Sequence, residues 1–233
     1  MSNQDSIALQ QALTSRGRLL MAVVCDGIGG LSQGENASGY ISEKLVDNFY
    51  RQLVPLAAEG KGLNGIRRSL LRCFYETQQE LKKYGAEREI ELGSTVSLLL
   101  LWKRRYLILH LGDSRIYRYS GKKRWLLTVD HSNGRNALTK CMGSFPYQAP
   151  YIKKGRVWGT CGFLLCTDGF YRKQSEESME LLEPAQAGGE EQMERRLGEM
   201  AKLAERKGEK DNMSAIYVKV GRGVGEGGDR SAF

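Results

Sequence analysis

The sequence predicts an α+β sandwich with helices packed outside sheets. Three observations carry this expectation. Two segments in the first half repeat apolar residues at helical spacing: Ala37, Tyr40, Ile41, Leu45, Val46 and Phe49 in one, Leu63, Ile66, Leu70, Phe74 and Leu81 in the other. From Gly93 the period changes to short apolar runs joined by basic turns, the spacing of an antiparallel meander. Finally, the apolar runs 19–25 and 163–166 both lead into an Asp-Gly pair, as buried strands do where they enter a tight loop.

The central stretch is Val23-Val24-Cys25-Asp26-Gly27-Ile28-Gly29-Gly30. Gly27, Gly29 and Gly30 can take backbone angles closed to other residues. They expose backbone carbonyls and leave room for an ion or a phosphate beside Asp26. An ordinary Asp-capped turn would explain one such stretch. The pattern recurs, however, at Thr167-Asp168-Gly169, and Asp211-Asn212 stands just before a third strand, 213–220. Three carboxylates at strand ends can converge on one spot, where they repel one another unless a cation sits between them.

In chain order, residues 8–13 form a first, weak strand, and Arg16-Gly17-Arg18 turns into strand 19–25. Residues 36–53 form a helix ended by Pro55 and Gly60. The stripe 63–81 is a second helix stopped at Gly85, and it is core packing rather than a cofactor site. Successive strands are expected at 94–102, 106–111, 114–119 and 125–129, then at 151–158 and 163–167. Met193, Leu197, Met200 and Ala204 place a helix at 192–207. Residues 1–220 are expected to form one domain, and the glycine-rich, charged segment 221–233 a disordered tail.

A chain of 233 residues is most simply a single domain with a real core. Its 41% hydrophobic and 27% charged content point to a soluble globular protein. No apolar run approaches the ~20 residues of a membrane span, and no basic start followed by an apolar core marks a secretory signal. The five cysteines, Cys25, Cys73, Cys141, Cys161 and Cys166, lack metal-type pairing and mostly lie in apolar runs, which suits a reducing cytoplasm. The net charge of +8 is spread along the chain. Its clusters Lys103-Arg104-Arg105 and Lys122-Lys123-Arg124 read as solvated hairpin tips. A surface that attracts acidic or phosphorylated partners is the alternative. No nucleic-acid motif is present.

Several segments in this order resemble the metal-dependent protein phosphatases of the PPM or type 2C family, in their bacterial form. They are Asn3-Gln4-Asp5, Asp26-Gly27-Ile28-Gly29-Gly30, Gly93-Ser94-Thr95, Gly112-Asp113-Ser114-Arg115, Asp130-His131-Ser132, Leu138-Thr139-Lys140-Cys141-Met142-Gly143, Thr167-Asp168-Gly169 and Asp211-Asn212-Met213-Ser214. The resemblance implies an α-β-β-α sandwich with two central antiparallel sheets and a binuclear Mn²⁺ or Mg²⁺ centre at one end. It implies that Asp26 bridges the two metals and the Gly27 carbonyl binds the second. Asp168 and Asp211 would bind the first, Asp5 would orient metal-bound water, and Asp113 would help bind a third ion. Hard oxygen donors suit Mg²⁺ or Mn²⁺ rather than zinc. Two such ions can hold a bridging hydroxide in line with a phosphoryl group, which implies one-step hydrolysis.

The histidines are His110 and His131. His110, in an apolar strand, reads as structural, and His131 belongs to the turn motif 130–132. Ile28 stands where many eukaryotic relatives carry a histidine. Two departures from the family pattern stand out. The segment between Ser132 and Leu138 is very short where the family usually has a longer flap. The family's phosphate-binding arginine would precede Asn3-Gln4-Asp5 by more residues than this sequence has, and much of the first strand would be missing with it. Arg16, Arg135 and Arg172 are candidates to replace it, with Arg135 favoured.

The function expected from the resemblance is a cytoplasmic, monomeric phosphatase acting on phosphoserine or phosphothreonine proteins, opposite a bacterial Ser/Thr kinase. A catalytically weak or inactive relative serving as a binding module is the alternative. A phosphatase dedicated to a single regulatory substrate is a third reading.

Overall fold

In the computed structural model, residues 3–28, 33–133, 137–186 and 188–221 are described. The chain opens with a hairpin of β1 (Asp5–Thr14) and β2 (Gly17–Asp26), paired from Thr14↔Gly17 at the turn to Asp5↔Asp26 at the open end. Helices α1 (Gly34–Asn48), α2 (Val54–Glu59) and α3 (Gly62–Arg88) follow. Next come β3 (Gly93–Ser94), β4 (Val96–Trp102), β5 (Arg105–Leu111), β6 (Arg115–Ser120), β7 (Lys123–Leu126), β8 (Met142–Gly143), β9 (Tyr151–Arg156) and β10 (Cys161–Cys166). The last elements are α4 (Asp168–Tyr171), α5 (Glu176–Glu180), α6 (Glu190–Arg206) and β11 (Ala215–Val220).

Two antiparallel sheets result, ordered β1-β2-β4-β5-β9 and β11-β10-β6-β7, with β3 pairing β8 beside them. Alternation along the strands sorts the buried apolar side chains into layers. Leu19, Met21 and Val23 of β2 face α1 and α3, joining Ile41, Leu45, Phe49, Ile66 and Phe74. Leu20, Ala22 and Val24 face the other way and meet Ile116, Phe163, Leu165 and Val218 between the sheets. Tyr119, Leu164 and Cys166 pack outward onto Phe170, Met193 and Met200. The result is the expected α-β-β-α sandwich with three apolar layers. Phe49 and Phe163 are fully buried in the first and second layers, where truncation to Ala would cost about 3–5 kcal/mol.

Several local expectations are corrected. The first strand is neither short nor weak: it runs the ten residues Asp5–Thr14. Its outer residues Ile7, Leu9 and Leu13 stay exposed while Ala8 packs toward the helices, so polar and apolar residues mix on an edge strand and blur the pattern. Pro55 does not end the first helix. It lacks the N–H that an unbroken α-helix would donate to Arg51, and the chain absorbs this in a π-helical turn, Phe49–Leu53. The helix resumes as α2, and Gly60 ends it at φ 76°. Gly85 does not stop α3, which continues to Arg88. A Cβ at Gly85 would lie 2.4 Å from Ser144 Oγ, so this glycine serves close packing.

The meander is split between sheets. β4 and β5 pair in the first sheet and β6 and β7 in the second, with Gly112-Asp113-Ser114 crossing between them. Local alternation cannot say which sheet a strand joins. The strand expected at 94–102 breaks at Thr95, whose hydroxyl and N–H turn to Asp26. The strand expected at 125–129 is Lys123–Leu126, and the remaining strands and α6 shift by at most two residues at their ends. Both basic clusters sit at hairpin turns, between β4 and β5 and between β6 and β7. All five cysteines are free and buried. The expected tail lies, from residue 222, outside the described residues.

Candidate active site

The open end of the β1–β2 hairpin sets the site. Asp26 is the last residue of β2, directly opposite Asp5. The Gly93-Ser94-Thr95 motif holds its backbone: Asp26 N–H donates to Thr95 Oγ1 at 3.0 Å. Its carbonyl accepts from Ser94 Oγ at 2.9 Å and from Thr95 N–H at 2.8 Å. Gly27 N–H donates to the Gln4 carbonyl at 3.0 Å. A Cβ on Gly27 would stand 2.5 Å from the Gly34 carbonyl oxygen, so only glycine allows the start of α1 to approach. Gly29 and Gly30 lie outside the described residues.

The second strand end is tied to the first. Thr167 Oγ1 donates to Asp5 Oδ2 at 3.0 Å and accepts Ser214 N–H at 3.0 Å. Gln4 N–H donates to Asn212 Oδ1 at 2.9 Å. These bonds join the starts of β1 and β11 to the end of β10. Gly169 lets the two loops meet, since a Cβ there would lie 2.3 Å from the Asn212 carbonyl oxygen. Asp168 and Asp211 are thereby brought beside Asp5 and Asp26.

The electrostatics are those of crowded carboxylates. Burial pushes Asp26 up to about 9, and Asp5, Asp168, Asp211 and Asp113 each add to the rise. Burial raises Asp5 as well, with Asp211 and Asp168 contributing. Asp113 is pushed up to about 6, by burial first and then by Asp168. Asp168 is raised by burial although Arg172 opposes the shift. Asp5 Oδ1 and Asp168 Oδ1 are buried with no hydrogen-bond partner. Buried acceptors without donors are costly, and carboxylates pressed together call for a cation. The donor set, all oxygen, fits a hard divalent ion. Among the described residues no three acidic, histidine or cysteine side chains stand close enough, as placed, to chelate one ion. Arg172 bridges two of the carboxylates instead, bonding Asp168 and lying 3.8 Å from Asp211.

The remaining predicted residues fall as follows. Asp113 sits in the crossing between sheets, its carbonyl accepting from Tyr171 OH at 3.0 Å. His110 is structural: it bonds Ser97 Oγ at 2.8 Å through Nδ1 and the Val129 carbonyl at 3.2 Å through Nε2. Burial, with His131 beside it, lowers it to about 4. His131 stacks on His110 with ring centroids 5.1 Å apart, and its Nδ1 accepts Gly112 N–H at 3.2 Å. That nitrogen is thus engaged in holding the crossing. Arg16 is misplaced as a phosphate ligand. It lies at the hairpin turn, bonding the Ala58 carbonyl, at the opposite end of β1 from Asp5 and roughly 30 Å away along the strand. Arg135 lies outside the described residues.

Sequence reasoning missed Gln78, the pairing of Arg115 with Asp130, and Glu209. Gln78, buried in α3, bonds the carbonyls of Gly143 and Phe145 and accepts Gly143 N–H, fixing β8 against β3. Arg115 and Asp130 form a forked pair closing the Gly112–Arg115 motif. Glu209, two residues before Asp211, lies beside Arg172. A glutamate and a lysine preceding Asp211-Asn212 were the signal for the last, but nothing local paired it with residue 172.

Comparison with known proteins agrees with this fold and identifies the family. The family model described as protein phosphatase 2C matches residues 1–216. A Mycoplasma genitalium protein provisionally described as a protein phosphatase is 27% identical over 183 residues, covering 65% of this chain and 67% of that protein. Among solved structures, the serine/threonine phosphatase Stp1 from Staphylococcus aureus superposes with a TM-score of 0.77 at 22% identity, covering 93% of this chain and 89% of that one. The catalytic domain of the serine threonine protein phosphatase PstP, in complex with two manganese ions, gives 0.72 at 21% identity, covering 94% and 91%. None of these favours an inactive binding module. The chain belongs to the protein phosphatase 2C family of metal-dependent protein phosphatases.

Proposed function

We propose that this chain hydrolyses phosphoserine and phosphothreonine esters on proteins, with two Mn²⁺ or Mg²⁺ ions held at the carboxylate end of the sandwich. The observation that carries the reading is the convergence of strand-end carboxylates. Burial raises the proton affinity of Asp26 and Asp5, with Asp168 and Asp211 adding to both, and Asp5 Oδ1 and Asp168 Oδ1 are buried without a donor. Asp26 would lie between the ions with the Gly27 carbonyl on one of them. Asp168 and Asp211 would hold the other, and Asp113 a weaker third. Divalent ions bound there supply Lewis acidity and a nucleophilic water at neutral pH. Asp5, its Oδ2 fixed by Thr167, would orient that water through Oδ1.

The partners of this reading are phosphoproteins modified by a Ser/Thr kinase, met by a monomeric chain in the cytoplasm. Five free, buried cysteines accord with a reducing compartment. No described helix is long and apolar enough to cross a membrane. The test is Mn²⁺-dependent release of phosphate from phosphothreonine and phosphotyrosine peptides. Turnover of the phosphothreonine peptide, abolished by EDTA and restored by Mn²⁺, is expected. Turnover indifferent to EDTA, or confined to the phosphotyrosine peptide, would overturn the reading.

A further inference from the structure

One cation already stands among these carboxylates. Arg172 follows Asp168 by one helical turn. Its Nη2 bonds Asp168 Oδ2, and its Nη1 lies 3.8 Å from both Asp211 Oδ2 and Glu209 Oε1. Two of these partners are proposed metal ligands and the third is not. The Glu209 side chain is only 7% exposed. Its Oε1 accepts the N–H groups of Lys210 at 3.0 Å and Asp211 at 3.2 Å, which fixes the carboxylate in place. Its Oε2 is buried without a partner. Glu209 therefore offers the guanidinium an unfilled acceptor next to one it already approaches. A guanidinium cannot lose its proton in a protein and presents several donors in a rigid fork, so it can exchange one carboxylate for another without leaving the cluster.

We propose that Arg172 is a resident counter-ion with two positions, on Asp168 and Asp211 in the metal-free chain and on Glu209 when divalent cations take those two carboxylates. The proposal rests on the metal reading above. In the first position Arg172 offsets the repulsion that convergence creates and lets the site assemble before any ion arrives. It also competes with the ions for Asp168, so it weakens metal affinity. Glu209 reduces that competition by receiving the displaced guanidinium. The pair thus sets the metal concentration at which the site fills.

The test is calorimetric titration with Mn²⁺ alone, together with thermal unfolding in EDTA and in Mn²⁺, on the full chain. Arg172→Gln is expected to bind Mn²⁺ roughly tenfold more tightly than wild type, the coupling typical of charged groups in contact. It should also unfold at a lower temperature in EDTA and gain more in Tm on adding Mn²⁺. Glu209→Gln is expected to bind Mn²⁺ more weakly than wild type. The double variant should bind as Arg172→Gln does, because no guanidinium is left to receive. An affinity in Arg172→Gln equal to or weaker than wild type would overturn the proposal. So would an equal loss from Glu209→Gln in both backgrounds, the signature of a merely nearby charge. Should Arg172→Gln not stay folded in EDTA, Arg172→Lys replaces it, with an affinity above wild type expected and one at or below it contradicting the idea. A wild-type chain that bound no Mn²⁺ would strike the metal reading itself, a result distinct from equal affinities in wild type and variant.

Discussion

Two arginine–carboxylate pairs stand near the same end of the sandwich, and they differ in how completely they are satisfied. Arg115 grips Asp130 with Nε at 3.2 Å and Nη2 at 2.7 Å. Its Nη1 bonds Tyr117 OH at 3.1 Å, and its plane lies 3.9 Å over the Tyr171 ring. Neither Asp130 oxygen nor the Arg115 nitrogens are left as buried, unpartnered atoms. Arg172 faces three carboxylates, Asp168, Glu209 and Asp211, and leaves Asp168 Oδ1 and Glu209 Oε2 buried without donors. The first pair is finished and holds a loop. The second has more acceptors than donors, the condition of a site that awaits further positive charge.

Removing the acceptors should break the contrast most severely. Asp26→Asn, Asp168→Ala and Asp211→Ala are each expected to lower Mn²⁺-dependent phosphatase activity by roughly 10³-fold or more, since each takes a charge from the metal pair. Asp26→Asn should raise the Tm of the metal-free chain at neutral pH, because burial and its neighbours push the native carboxyl up, so the acid takes up a proton on folding that the amide does not need. Wild-type turnover in any one variant would remove that residue from the site.

The finished pair should answer the opposite way. Arg115→Ala is expected to cost about 2–3 kcal/mol in urea unfolding. That is below the 3–5 kcal/mol of a fully buried pair, because both side chains are about a quarter exposed. Mn²⁺ binding should survive. Loss of metal binding with unchanged stability would reverse the assignment of the two arginines.

His110 gives a neutral counterpart to the charged pairs. It is held at about 4, below its usual 6.5, by burial first and by His131 second. Above pH 6.5 it is neutral in both folded and unfolded chains and contributes no pH dependence. Below that, the unfolded chain takes up a proton that the native ring refuses until about pH 4, so stability falls as pH drops through this window. Wild type should lose about 2 kcal/mol more than His110→Gln between pH 7 and 5. Parallel stability curves for the two would show that His110 is charged in the native state.

The smallest effect is expected at Asp113. Asp113→Ala should raise the Mn²⁺ concentration needed for activity several-fold while leaving the tighter ions bound in calorimetry. Loss of those ions would place Asp113 in the main centre.

Much of this was legible in the sequence because strand ends write themselves in one dimension. The apolar run before Asp26 and the one before Asp168 mark the layer and the site together, since the side chains that bury the strand also aim its last residue. The helix-facing stripe of Ala37, Ile41 and Leu45 was readable for the same reason. What escaped depended on contacts distant in sequence. The assignment of β6 to the second sheet rests on pairing with β10, some 46 residues later. Gly85 serves Ser144, and Gln78 serves Gly143 and Phe145. Arg172 looked like a loop arginine because the one-turn helix Asp168–Tyr171 carries no periodicity of its own, and Glu209 had no local sign of its partner.

On the proposed reading, Asp26, Asp168 and Asp211, delivered by the ends of β2 and β10 and the loop before β11, form a two-cation centre. Equilibrium dialysis against Mn²⁺ with metal analysis of the protein tests it most directly, comparing wild type with Asp26→Asn. Wild type is expected to hold roughly two Mn²⁺ per chain tightly, and Asp26→Asn at least one fewer while still folded. No bound Mn²⁺ in wild type, or the same stoichiometry in both proteins, would contradict it.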